Sequence, residues 1–334
     1  MHTKYTHTLC AYKHTTREEY KGMNDVIVRP GAALQEAQEL SPELFGRWAS
    51  FIDAKPKTVS TYTRAIKQFL LYLQATNTTR PTREDIIAYR DELKLKHKAT
   101  TVQSYISAVK LFFQWTAQEG LYPNVAERVK GARIDKGFKK DYLNANQTRK
   151  LLENVDRSTL RGLRDYAILS LMATAGLRTI EVSRANIEDM RTLGDSVVLY
   201  VQGKGKDDKT DLIKIAEPVE QAIRAYLKAR GESDGKAPLF CSDSDRNKGG
   251  RITTRTISGI AKANFVSIGF NSDRITAHSL RHTAATINIL NGGKIEETQQ
   301  MLRHQNINTT LLYSHALERA KNKSEERIAK AIFG

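Results

Sequence analysis

Four short segments in the second half of the chain gather residue types suited to phosphate chemistry. They are ATAGLRTIEV around Arg178, VQGKGKDDKT around Lys204, HSLRHTAAT from His278 to Thr286, and LRHQNINTTLLYSH from Leu302 to His315. A phosphodiester under attack concentrates negative charge on its non-bridging oxygens, and the planar forks of Arg178 and Arg281 suit a bidentate clamp on that charge as it builds. A phenol with a pKa of about 10 is a poor nucleophile at neutral pH, so Tyr313 would need a neighbouring base and a strongly positive site. His278 suits the part of base. An expelled alkoxide leaves badly unless it is protonated, and a lysine on a mobile hairpin, such as Lys204, is placed to deliver that proton.

Taken singly, each residue has a plainer reading. Arg178 follows a glycine turn and could be a helix-end charge, and Lys204 and Lys206 could be solvated hairpin cations. An HxxR pair arises often by chance, His304 could be a satisfied core histidine, and Tyr313 is one of 13 tyrosines. The four segments together, in this order and at this spacing, are far more specific than any one of them.

The set resembles the tyrosine recombinase family of phage integrases and Xer-type recombinases over roughly residues 41 to 320. The resemblance implies that Arg178, in its GLRxxE context, is the first family arginine and that Lys204 is the hairpin lysine. His278 and Arg281 match the HxxR pair, His304 the second histidine, and Tyr313, nine residues later, the nucleophile. By the same resemblance His304 hydrogen-bonds the scissile phosphate, Glu181 orients the groups around it, and the link to Tyr313 holds a 3′-phosphate. Bond energy is conserved in such a link, so no cofactor and no metal is expected. His282 and His315 are expected either to pack beside the reacting groups or to support them from behind, His282 in the same way as Glu181. Two departures from the family pattern stand out: Arg303 where glycine commonly precedes the histidine, and Asp207-Asp208 in the hairpin.

The fold that the resemblance implies is mainly α. A helical, SAM-like core-binding domain comes first, and a mostly helical catalytic domain with a small antiparallel β-sheet follows, the two closing as a C-shaped clamp. The implied partner is duplex DNA with paired core sites, bound by a homotetramer, with a partner recombinase or accessory factor as a further possibility. A type IB topoisomerase, which shares the same residue set, and a catalytically dead DNA-binding protein are the competing readings.

The elements that must position these residues can be traced along the chain. A length of 334 residues fits two domains. Residues 1 to 40 form a polar appendage in which Pro30 and Gly31 precede a helical stretch near Ala32, and Met23 offers an alternative start. Residues 41 to 133 are expected to be a helical DNA-binding domain, 134 to 140 a linker, and 141 to 334 the catalytic domain with a C-terminal helix. In the first domain Val59, Tyr62, Ile66, Phe69, Leu70 and Leu73 form one apolar stripe, and Val102, Ile106, Val109 and Phe113 a second. Thr82 with Glu84 and Asp85 opens a helix between them, and Thr100 and Thr101 are candidate N-caps for the second stripe. In the second domain helices are expected at 146–155 and 159–174, with another after the Ala175-Gly176 break. Residues 197–201 and 211–215 read as strands joined by the glycine-containing turn at 203–210.

The chain carries 53 Lys and Arg against 37 Asp and Glu, a net charge of +16 that favours a polyanionic partner. Residues 41 to 140 hold 18 basic and 9 acidic residues, an excess out of proportion to their length. Lys55, Lys57, Arg64 and Lys67, with Lys94, Lys96 and Lys98, either track phosphates or form solvated helix faces. Two distant cysteines, Cys10 and Cys241, match no metal-binding spacing, which suits a reducing, cytoplasmic setting. No apolar run is long enough to span a membrane.

Overall fold

Helical periodicity in the first half of the chain becomes four packed helices in the computed structural model. It describes residues 27–28, 38–39, 42–134, 141–203, 206–308, 310–311, 313 and 322–334. Most of the expected appendage, linker residues 135–140, Lys204, His315 and the start of the C-terminal tail lie outside the described residues. The chain divides into two units, residues 1–136 and 137–334.

In the first unit, α1 (Pro42–Phe51), α2 (Pro56–Ala75), α3 (Arg83–Lys96) and α4 (Ala99–Gln118) surround an aromatic core. The two stripes face inward. Val59, Ile66, Phe69, Leu70 and Leu73 of α2 are buried, with Tyr62 partly so, and Val102, Ile106, Val109 and Phe113 of α4 are buried against them. Phe69 meets Phe113 edge to face at 5.9 Å, and Trp48 meets Phe112 at 5.7 Å. Thr82 caps α3 through a reciprocal pair of bonds with Asp85.

Two expectations are corrected here. Lys98, not Thr100 or Thr101, is the N-cap of α4, and no side chain caps it. Both threonines already lie inside the first turn. Gln38–Glu39 is not part of a helix but pairs antiparallel with Ile27–Val28 (β2 with β1), so strand pairing overrides local helix propensity.

In the second unit, α5 (Ala145–Glu153) is followed by α6 (Leu160–Ala175), whose run Ala167–Met172 is buried and which packs against α8 (Glu217–Arg230) and α10 (Ala277–Leu290). The short α7 (Thr179–Arg184) leads into a three-stranded antiparallel sheet, β3 (Met190–Leu193), β4 (Ser196–Val201) and β5 (Asp211–Lys214). Its register pairs Leu199 with both Met190 and Ile213. Sequence periodicity finds β4 and β5 but misses β3, whose MRTL lacks a clean alternation. Then come α9 (Thr254–Ser267), α10, α11 (Ile295–Leu302) and, past a helical segment that includes Tyr313, the terminal α12 (Ser324–Phe333).

Candidate active site

The site is built where α6, α7, α10 and α11 end or begin. Gly176 terminates α6 in the left-handed conformation, φ 59°, which only a residue without Cβ adopts freely. A Cβ there would stand 2.5 Å from Leu302 Cδ2. The turn delivers Arg178 to the N-cap of α7, where its backbone N–H donates to Glu181 Oε2 and its Nη1 to Glu181 Oε1, both at 2.8 Å.

On α10, His278, Arg281 and His282 share one face by their i, i+3, i+4 spacing. Arg281 is 1% exposed. Its Nη1 donates to the Gly176 carbonyl at 2.5 Å and its Nη2 to the Leu302 carbonyl, so one guanidinium ties the ends of α6 and α11 together. Burial, followed by the nearby charges of Arg178 and Arg303, pulls its pKa down to about 9. Three guanidiniums therefore share one partly dry region.

His304 directly follows α11 and its C-cap Arg303. Its Nδ1 is 2.9 Å from Thr310 Oγ1, and burial followed by the charges of Arg281 and Arg178 holds its pKa down to about 3. Tyr313 is 4% exposed, packed on Ala285 and Leu302. Its hydroxyl lies 2.7 Å from His282 Nδ1, while His278 meets His282 edge to face with ring centres 4.7 Å apart. Burial raises the phenol to about 12 against the opposing pull of Arg281 and Arg178, and it lowers His282 to about 4.

Arg178, Glu181, His278, Arg281, His282, His304 and Tyr313 are thus brought together. It is His282 rather than His278 that touches the Tyr313 hydroxyl. Two participants escape sequence reasoning: Thr310, which carries no signal beyond its place in the TTLLY run, and Arg303, visible only as a departure from glycine.

Residues 141–319 match the phage integrase family, and residues 52–120 match the phage integrase N-terminal SAM-like domain. The chain belongs to the phage integrase family of site-specific tyrosine recombinases. Relatives of the recombinase include the tyrosine recombinase XerC of Pelobacter propionicus, 28% identical over 78% of this chain and 85% of that protein. The XerC of Thermodesulfovibrio yellowstonii is 30% identical over 67% of this chain and 73% of its own length. In fold it is similar to the XerH recombinase bound to palindromic difH substrate, TM-score 0.66 at 18% identity, covering 82% of this chain and 78% of that one. A lambda integrase (75–356) dimer bound to a COC′ core site gives 0.62 at 16% identity, covering 81% and 94%.

The recombinase's β4–β5 hairpin, which carries Lys204, is tied down on both sides of that residue. Gln202 donates to the carbonyls of Lys206 and Asp207 at 2.9 and 2.8 Å. Lys206 pairs with Asp211 at 2.6 Å, and Lys209 reaches the buried Asp189 at 2.5 Å.

In the first unit, Lys55, Lys57, Arg64, Lys67, Lys94, Lys96 and Lys98 are all exposed. Lys55 and Lys98 are the N-caps of α2 and α4, where the helix dipole adds positive potential to their own charge. Lys94 and Lys96 instead pair within α3 with Asp91 and Glu92 at 2.8 and 2.7 Å. Among the described residues no three His, Cys, Asp or Glu side chains group into a metal site, and no helix is long and apolar enough to cross a membrane.

Proposed function

We propose that this recombinase cuts and rejoins duplex DNA at paired sites through a 3′-phosphotyrosyl link to Tyr313. The observation that carries the reading is the convergence of Arg178, Arg281, His304 and Tyr313 from four separate elements around one electropositive spot. Arg178 and Arg281 clamp the non-bridging oxygens of the scissile phosphate, and His304 adds a hydrogen bond. The lowered pKa of Arg281 and the raised pKa of Tyr313 have complementary remedies. A phosphate beside the arginines favours the charged guanidinium further, and the arginines in turn favour the phenolate. Tyr313 attacks phosphorus, its proton passes to a histidine, and the 5′ oxygen departs with a proton from Lys204.

His282, neutral at pH 7, is the hydrogen-bond partner of the Tyr313 hydroxyl in this conformation. His278, beside it, is placed to serve once Tyr313 has moved to the phosphate. Such movement is required, because Arg281 and Tyr313 are both almost fully buried here. The exposed lysines of the first unit hold the duplex backbone, Lys55, Lys57 and Lys98 first among them, with Arg64 and Lys67 along α2. The active assembly is a homotetramer in the cytoplasm, and the outcome is integration, excision or resolution. Its support is the similar fold of a lambda integrase tetramer bound to a Holliday junction, TM-score 0.60.

The test is a supercoiled plasmid with two directly repeated copies of a candidate site, drawn from inverted repeats flanking the gene. Two circles are the expected product. Relaxation without exchange would move the assignment to a topoisomerase, and binding without any cleavage would sink it.

A further inference from the structure

The position before His304 is held in the left-handed region, φ 55° and ψ 45°, as the C-cap of α11. Glycine adopts that conformation at least cost, and an arginine there is strained unless its side chain is held by something specific. Among the described residues only Asn77 is a second non-glycine with positive φ.

Arg303 is held, and by the site itself. Its side chain is 8% exposed. Its Nη1 donates to the Met301 carbonyl at 2.6 Å and its Nη2 to Glu181 Oε2 at 2.7 Å. Glu181, wholly buried, gives its other oxygen to Arg178 Nη1. One carboxylate is therefore shared between two guanidiniums, Arg178 on one side and Arg303 on the other.

From this sharing we infer that Arg303 is a positioning residue for Arg178, acting through Glu181. Its guanidinium fixes the carboxylate that orients the Arg178 fork, and it offsets a negative charge that would otherwise cancel Arg178's own. Arg178 with Glu181 alone is a neutral pair, poorly suited to attract a phosphate. With Arg303 the three groups carry a net charge of about +1. The influence extends beyond the triad, since Arg303 is among the charges that lower both Arg281 and His304. Where a glycine at this position would give only backbone freedom, this chain accepts strain and gains charge. The inference rests on the proposed role of Arg178 at the scissile phosphate.

The test is single-turnover cleavage of a nicked suicide substrate at saturating protein, with site affinity measured separately by gel shift. Arg303→Gly is expected to lower the maximal rate about tenfold or more while affinity changes less than about threefold. Arg303→Lys is expected to recover much of the loss. Glu181→Gln, added to Arg303→Gly, removes the negative charge that cancels Arg178's own while keeping an oxygen that accepts from its guanidinium, and is expected to speed cleavage over Arg303→Gly alone, whereas a merely structural role makes the two losses add.

If Arg303→Gly does not fold, Arg303→Lys against Arg303→Gln carries the same comparison, with Gln the slower by several-fold. Wild-type rates in Arg303→Gly, a double variant slower than Arg303→Gly, or equal rates for Lys and Gln would each overturn the inference alone. Absence of a covalent adduct from the wild-type protein would overturn the recombinase reading, and this inference with it.

Discussion

The hydroxyl of Tyr313 lies 2.7 Å from Nδ1 of His282, joining the proposed nucleophile to a histidine whose sequence context suggested packing or support behind the reacting groups. Burial holds His282 at about 4 and Tyr313 at about 12, so both partners are neutral at pH 7.

The sign of the resulting pH dependence follows from the depressed histidine. With a folded value near 4 and an ordinary value of 6.5, the unfolded chain takes up the proton first as pH falls. Stability present above pH 6.5 is therefore lost on the way down to about 4. Discounting for partial solvation, the thermal midpoint of His282→Gln should drop less between pH 7.5 and 4.5 than that of the wild type, by roughly 2–6 °C. Parallel midpoint curves for the two proteins would show that His282 is not the buried neutral group described here.

Gly176 supplies both a left-handed turn and the carbonyl that receives Arg281, and its missing Cβ makes room for Leu302. Gly176→Ala should cost about 1–3 kcal/mol from backbone strain and overpacking, lowering the thermal midpoint by several degrees. Cleavage should fall with it, because the carbonyl that receives Arg281 shifts as the turn adjusts. A midpoint within a degree of wild type would mean that neither the turn nor the contact constrains the site.

Lys204 is proposed to protonate the leaving 5′ oxygen. Lys204→Ala should slow cleavage of ordinary DNA by about a hundredfold or more, yet leave cleavage of a 5′-bridging phosphorothiolate nearly intact, since sulfur departs without a proton. Equal losses on both substrates would transfer the acid role to another group.

The terminal helix Ser324–Phe333 exposes Ile328, Ile332 and Phe333, the last at 85%. Burying three such side chains against a neighbouring protomer contributes on the order of a few kcal/mol before ordering costs, enough to bias assembly. Deleting residues 325–334 should leave single-site binding unchanged while weakening cooperative occupancy of paired sites and strand exchange. Full-length cooperativity and recombination in the truncated protein would rule this out.

Much of this architecture was legible because it rests on periodicity and fixed motif spacing. The stripes of α2 and α4, the Thr82 box and the pair β4 and β5 are local patterns that the fold keeps. What stayed hidden depends on contacts distant in sequence. Glu181 and Arg303 are 122 residues apart, and His282 meets Tyr313 across 31. No spacing rule distinguishes His282 from His278 as the partner of Tyr313. The first turn of α4 differs for the opposite reason: Thr100 and Thr101 carry a strong local cap signal, yet the helix starts at Ala99 with Lys98 as an N-cap that no side chain satisfies.

The covalent bond at Tyr313 is the central claim, and mapping it is the most direct test. A nicked suicide duplex carrying the cognate inverted repeats should trap the wild-type protein as an adduct. Digestion and mass spectrometry should then find a 3′-phosphorylated nucleotide on the peptide containing Tyr313. Tyr313→Phe should bind the same duplex with unchanged affinity and give no adduct. An adduct that survives in Tyr313→Phe, or that maps to any other residue, would contradict the account.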